Sequence, residues 1–135
     1  EGAKNINLPI WVGLSCKKDS SGKIVLLSGE PLEKAIDNLK NKNIDLINIM
    51  HTEIPLINSC LDIAQNKWKG LIGVYAHSGV MEKTKWTFEE VISPKDYSKY
   101  VQEWIERGIN LVGGCCGITT EHMKYISEHN FSKTR

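Results

Sequence analysis

Apolar and polar positions in this chain fall into blocks, and the blocks repeat. Leu8-Pro9-Ile10-Trp11-Val12-Gly13-Leu14 is short and almost continuously apolar, the pattern of a buried strand. Lys17-Lys18-Asp19-Ser20-Ser21-Gly22-Lys23 follows with the composition of a turn or long surface loop. Leu32, Ala35, Ile36 and Leu39 then recur at helical spacing, and Pro31 suits a first helical turn. A second unit pairs a strand from Ile44 to Met50 with a helix carrying Ile57, Cys60, Leu61 and Ala64 on one face. Pro55 lies near that helix start. The third pairs the strand Gly70 to Ala76 with a helix burying Tyr97, Tyr100, Val101, Trp104 and Ile105. A long loop from His77 to about Ser93 separates the two, and Gly108 ends the helix. The fourth has a strand at Ile109-Asn110-Leu111-Val112 and a helix from about Thr120 to His129.

Strand and helix alternating at roughly 30 residues per unit predict an α/β fold of four parallel strands, each followed by a helix and joined by right-handed crossovers. Loops after the helices are short, whereas loops after the strands are long and polar. Chemistry in such folds gathers at the carboxyl ends of strands. Cys16, His51, His77 and the pair Cys115-Cys116 all fall there. Four units do not close a barrel, and an open sheet would leave two edges unpaired and one face uncovered. The pattern therefore implies either an upstream half, which the abrupt start before the first strand favours, or a second copy that covers the open edges as a homo-oligomer.

Composition narrows the class. The 135 residues are 41% hydrophobic, enough for one domain with a real core. A formal net charge of +1 offers no basic field for nucleic acid or anionic lipid. No apolar run approaches the roughly 18 residues of a membrane span. Glu1-Gly2-Ala3-Lys4-Asn5 lacks the layout of a signal peptide. The expectation is a cytoplasmic protein with no nucleic-acid or membrane partner. Four cysteines in such a chain suggest thiolate chemistry or metal binding rather than a disulfide framework.

Gly113-Gly114-Cys115-Cys116-Gly117 is the most informative stretch. Neighbouring side chains of a regular strand point to opposite faces, so two adjacent cysteines converge on one metal only if the backbone bends. The flanking glycines supply that freedom. Thr119 is a plausible cap for the next helix, whose positive end would favour thiolates. Catalytic zinc takes three protein ligands and keeps one position open. His51, on the second strand, is the best third donor, because the second and fourth strands lie two apart. His77, on the strand between them, suits a substrate contact or a bond to a ligand. Cys16 is a remote candidate, Cys60 a core residue, and His122 and His129 read as solvent-facing helix residues. The bland alternative makes Cys115 and Cys116 ordinary buried cysteines beside a tight turn.

Val112-Gly113-Gly114-Cys115-Cys116-Gly117-Ile118-Thr119-Thr120-Glu121-His122-Met123 resembles the signature of the homocysteine S-methyltransferase family, with its betaine-, S-methylmethionine- and cobalamin-dependent members. Ser28-Gly29-Glu30-Pro31-Leu32 resembles the stretch after that family's fifth strand, and Val74-Tyr75-Ala76-His77-Ser78-Gly79 its seventh strand. Trp86 and the helix end from Trp104 to Gly108 also fit. The resemblance implies that residues 1–135 are a single unit, strands five to eight of a (β/α)₈ TIM barrel, its C-terminal half. It implies Zn²⁺ at Cys115 and Cys116, a homocysteine thiol as methyl acceptor, a separate methyl donor, and methionine formation. His77 and Gly114 fall on the substrate side. The family's usual first zinc ligand is a cysteine at the end of the sixth strand, where Met50-His51 stands here; the set becomes Cys₂His. The alternatives left open are another thiol or selenol acceptor, or an inactive fragment with a structural metal site.

Overall fold

A computed structural model describes residues 7–82, 85–87 and 91–130, with backbone alone for 80–82, 85 and 86. Four strands, β1 (Trp11–Leu14), β4 (Leu46–Glu53), β5 (Leu71–His77) and β8 (Leu111–Val112), form one sheet in the order β1-β4-β5-β8. Every pair in it is parallel. Helices α1 (Leu32–Asp37), α2 (Ile54–Lys67), α3 (Pro94–Glu106) and α4 (Thr120–His129) separate and follow the strands. Between β1 and α1 lies an antiparallel hairpin, β2 (Cys16–Lys18) with β3 (Ile24–Leu26). A second hairpin, β6 (Val80–Glu82) with β7 (Lys85–Thr87), lies between β5 and α3. Both strand-following loops expected to be irregular thus contain short strands. In the first, the Asp19 carboxylate accepts from the Ser21 and Lys23 amides and closes the turn.

The core lies between the sheet and its helices. Leu14, Ile47, Ile49, Ile72, Val74 and Ala76 from the strands meet Leu32, Ile36, Ile57, Leu61, Val101, Trp104 and Ile126 from the helices. The helical spacing of three or four is the period on which the helix prediction rested, whereas the strands were read from their apolar runs. Cys60 is fully buried here, as read from its apolar helix face. Gly108, with φ of 84°, carries the left-handed turn after α3. The first strand begins later than its apolar run: Leu8 is 68% exposed and Trp11 54%. The last begins two residues late, and β4 runs three residues beyond Met50.

On the opposite face, register aligns Trp11 with Leu46 and Leu71, Gly13 with Asn48, Gly73 and Leu111, and Met50 with Tyr75. No described helix covers it; Trp11 and Leu71 are exposed, and Asn48 Oδ1 is buried without a hydrogen-bond partner among the described residues. Among the described residues no helix is long and apolar enough to cross a membrane.

Candidate metal centre

Strict alternation along β4 would send His51 to the helix side of the sheet, with Ile47 and Ile49. A bulge prevents this. Met50 pairs with Tyr75 and Glu53 with His77, so β4 advances three residues while β5 advances two. His51 takes the left-handed conformation, φ 47°, which costs a non-glycine residue energy and re-aims its side chain. Thr52 occupies the helix-side place instead. It is fully buried, its hydroxyl donates to the Met50 carbonyl at 2.9 Å and accepts from the Cys16 amide at 2.9 Å.

The cysteine pair is built by a different device. Beyond β8 the Gly113 amide still donates to the Val74 carbonyl and the Cys115 amide to the Ala76 carbonyl, both at 2.9 Å. The chain then turns back: the Ile118 amide donates to the Cys115 carbonyl at 3.0 Å, around Gly117 at φ 79°. Of the three flanking glycines only Gly117 needs the left-handed region. Gly113 and Gly114 are required for close approach. A Cβ on Gly113 would stand 2.0 Å from Tyr75 Cε1, and one on Gly114 would stand 2.2 Å from Ile118 Cγ2.

These turns bring three donors together. Cys115 Sγ is 3.5 Å from His51 Nδ1, Cys116 Sγ is 3.9 Å from it, and the two sulfurs are 3.8 Å apart. Tetrahedral zinc with bonds of about 2.3 Å to sulfur and 2.0–2.1 Å to nitrogen places two sulfurs about 3.8 Å apart, and sulfur and nitrogen about 3.6 Å apart. The donor triangle already has the size of one face of that tetrahedron, so the residues fit the ion. His51, Cys115 and Cys116 are all half-buried, and no other such cluster of three occurs among the described residues. Partial burial, then the adjoining Cys115 sulfur, raises the Cys116 thiol above its ordinary value.

Around the triangle, the other predicted residues separate. The His77 ring lies 5.1 Å from that of His51, outside the donor cluster. Burial and, next, the His51 imidazole lower its pKa, which keeps His77 neutral at pH 7. Gly114 has Ile118 on the side where a Cβ would be, so only its backbone can face a ligand. Cys16 is buried at the start of β2, beside Cys60 and bonded to Thr52, and takes no place in the cluster. Trp86 falls on β7, where its side chain lies outside the described residues.

His122 corrects the sequence reading. It is 4% exposed rather than solvent-facing. Its Nδ1 accepts from the Thr119 amide at 3.1 Å and closes a capping box on α4, while Nε2 reaches the Ile92 carbonyl at 2.8 Å. The third position of a capping box is usually Glu or Gln, so a histidine there carries no recognisable signal. Tyr97, read only as a core aromatic, also has a polar role: its hydroxyl donates to the Gly113 carbonyl at 2.7 Å.

Fold and site together define a parallel α/β protein with a thiophilic donor set at the tips of the two strands that flank β5. The chain belongs to the homocysteine S-methyltransferase family, whose model matches residues 1–129. It is 29% identical over 126 residues to homocysteine S-methyltransferase 3 of Zea mays, covering 90% of this chain and 36% of that protein. Homocysteine S-methyltransferase 3 of Arabidopsis thaliana is 27% identical over 128 residues, covering 93% of this chain and 36% of that protein. Selenocysteine Se-methyltransferase of Brassica oleracea var. italica is 30% identical over 76 residues, covering 54% of this chain and 22% of that protein. The chain thus spans little more than a third of the length of the homocysteine S-methyltransferases it matches.

Proposed function

We propose that this chain is the metal-holding C-terminal half of a (β/α)₈ barrel that transfers a methyl group from a donor to the thiol of homocysteine. The donor triangle of His51, Cys115 and Cys116 carries the reading. Its edges of 3.5, 3.9 and 3.8 Å suit zinc and leave a fourth position for an acceptor sulfur. Residues 1–135 act in it as one unit. The half-barrel reading is supported by the sheet face that no described helix covers, with exposed Trp11 and Leu71, and by the buried Asn48 Oδ1 that lacks a partner among the described residues. A complementary set of strands would cover all three.

Zinc held by these residues supplies a Lewis acid that favours the thiolate of an acceptor over the unreactive thiol, whose pKa is otherwise about 8.5. The protein's own groups orient and exclude. The β4 bulge aims His51, the Gly117 turn aims both sulfurs, and the glycine at 113 lets the Tyr75 ring pack against its backbone. Neutral His77, beside His51, contacts the substrate without adding charge, and Gly114 offers its backbone. The relative named as a selenocysteine methyltransferase makes a selenol the acceptor to compare with the thiol. The test is turnover by the full-length protein with homocysteine or selenocysteine and sulfonium, quaternary ammonium and methylated-cofactor donors. Methionine formation that disappears in Cys115→Ala supports the proposal. Methylation of selenocysteine alone, or homocysteine methylation that survives Cys115→Ala, contradicts it.

A further inference from the structure

The segment that carries Cys115 and Cys116 leaves β8 through Gly113, and one buried side chain is bonded to it. Tyr97, fully buried on α3, donates its hydroxyl to the Gly113 carbonyl at 2.7 Å. The ladder on either side of this point is regular, with the Gly113 amide on Val74 and the Cys115 amide on Ala76. In a parallel ladder the intervening bond runs directly from the Ala76 amide to the Gly113 carbonyl. Here that carbonyl accepts from the Tyr97 hydroxyl. The ring is held edge-on by Trp104 at 5.8 Å and by His122 at 5.9 Å. His122 is in turn tied to Thr119 and Ile92, so the hydroxyl has little freedom to move.

We propose that Tyr97 is a positioning residue for the metal centre: its hydroxyl, bonded to the Gly113 carbonyl two residues before Cys115, fixes the backbone from which both cysteine sulfurs face His51. The proposal rests on Cys115 and Cys116 being metal ligands, and its test keeps the two ideas apart.

The test compares Tyr97→Phe with Val101→Ala, a cavity-forming change at a fully buried residue of the same helix. Zinc affinity is measured by chelator competition, and the visible spectrum is recorded after cobalt substitution, both on the full chain. Tyr97→Phe is expected to lose about 10–100-fold in zinc affinity and to alter the cobalt bands. Val101→Ala is expected to lose thermal stability while keeping the wild-type affinity and spectrum. An unchanged affinity and spectrum in Tyr97→Phe, or equal losses in both variants, overturns the proposal. Wild-type protein that binds neither metal overturns the zinc reading beneath it. If Tyr97→Phe does not fold, the wild-type protein still decides by NMR. The Tyr97 hydroxyl proton should exchange slowly and shift on zinc loading; a fast-exchanging or unresponsive proton overturns the proposal.

Discussion

Replacing His51 by glycine and by alanine separates its backbone from its imidazole. Both substitutions delete the Nδ1 that stands 3.5 and 3.9 Å from the two sulfurs, so both should abolish zinc binding. They differ in what they do to the backbone. At φ 47° an L-residue pays about 1–2 kcal/mol that glycine does not. Glycine in turn surrenders roughly 0.5–1 kcal/mol through the greater freedom of the unfolded chain. The net expectation is that His51→Gly is more stable than His51→Ala by roughly 0.5–1 kcal/mol, the reverse of the order at an ordinary strand position. The assay is urea unfolding of both variants with a chelator present. With a slope of about 1–3 kcal/mol per molar, the midpoints should differ by a few tenths of a molar unit. Added zinc at about 100 times its dissociation constant should stabilise the wild type by about 2.7 kcal/mol and neither variant. An alanine variant as stable as the glycine variant would refute the left-handed bulge as the device that aims His51.

Three further outcomes follow from the same geometry. Gly113→Ala places a Cβ 2.0 Å from the Tyr75 ring and should cost about 1–3 kcal/mol in thermal unfolding, with zinc affinity falling as the bend shifts. His122→Ala removes the acceptor of the Thr119 amide and the bond to Ile92, and should cost about 1–2 kcal/mol of stability, read by the same assay. Burial, with the Cys115 sulfur second, raises the Tyr97 pKa above its ordinary value near 10. Its contribution to stability is therefore complete below about pH 10 and is lost as pH rises through the folded value. Unfolding measured between pH 9 and 11.5 should show a steeper loss in wild type than in Tyr97→Phe, and parallel curves would contradict the assignment.

What the sequence made legible was what periodicity controls. The alternation of strands and helices follows from apolar runs and helical stripes, and the buried positions Leu32, Ile36, Ile57, Cys60, Leu61, Val101 and Trp104 lie where those stripes put them. Convergence of His51 with Cys115 and Cys116 was also legible, because strand ends in a parallel sheet share one side and the two strands flank β5. The means of convergence were not. A bulge inserts one residue without any compositional mark, and His51 in the left-handed region has none either. Gly113 and Gly114 serve close approach to Tyr75 and Ile118, which depends on partners distant in the chain or on the turn itself. Hydrophobic pattern assigns Tyr97 to the core and is silent about its hydroxyl; the polar class assigns His122 to the surface, whereas the capping of α4 draws it in.

The central claim is that His51, Cys115 and Cys116 form one zinc site. X-ray absorption at the zinc edge of the purified full-length protein tests it most directly. The expected result is one zinc per chain with two sulfur neighbours at about 2.3 Å and nitrogen or oxygen at about 2.0–2.1 Å, the zinc being lost in Cys115→Ala as in His51→Ala. A protein without stoichiometric zinc, or zinc with no sulfur neighbours, would contradict it.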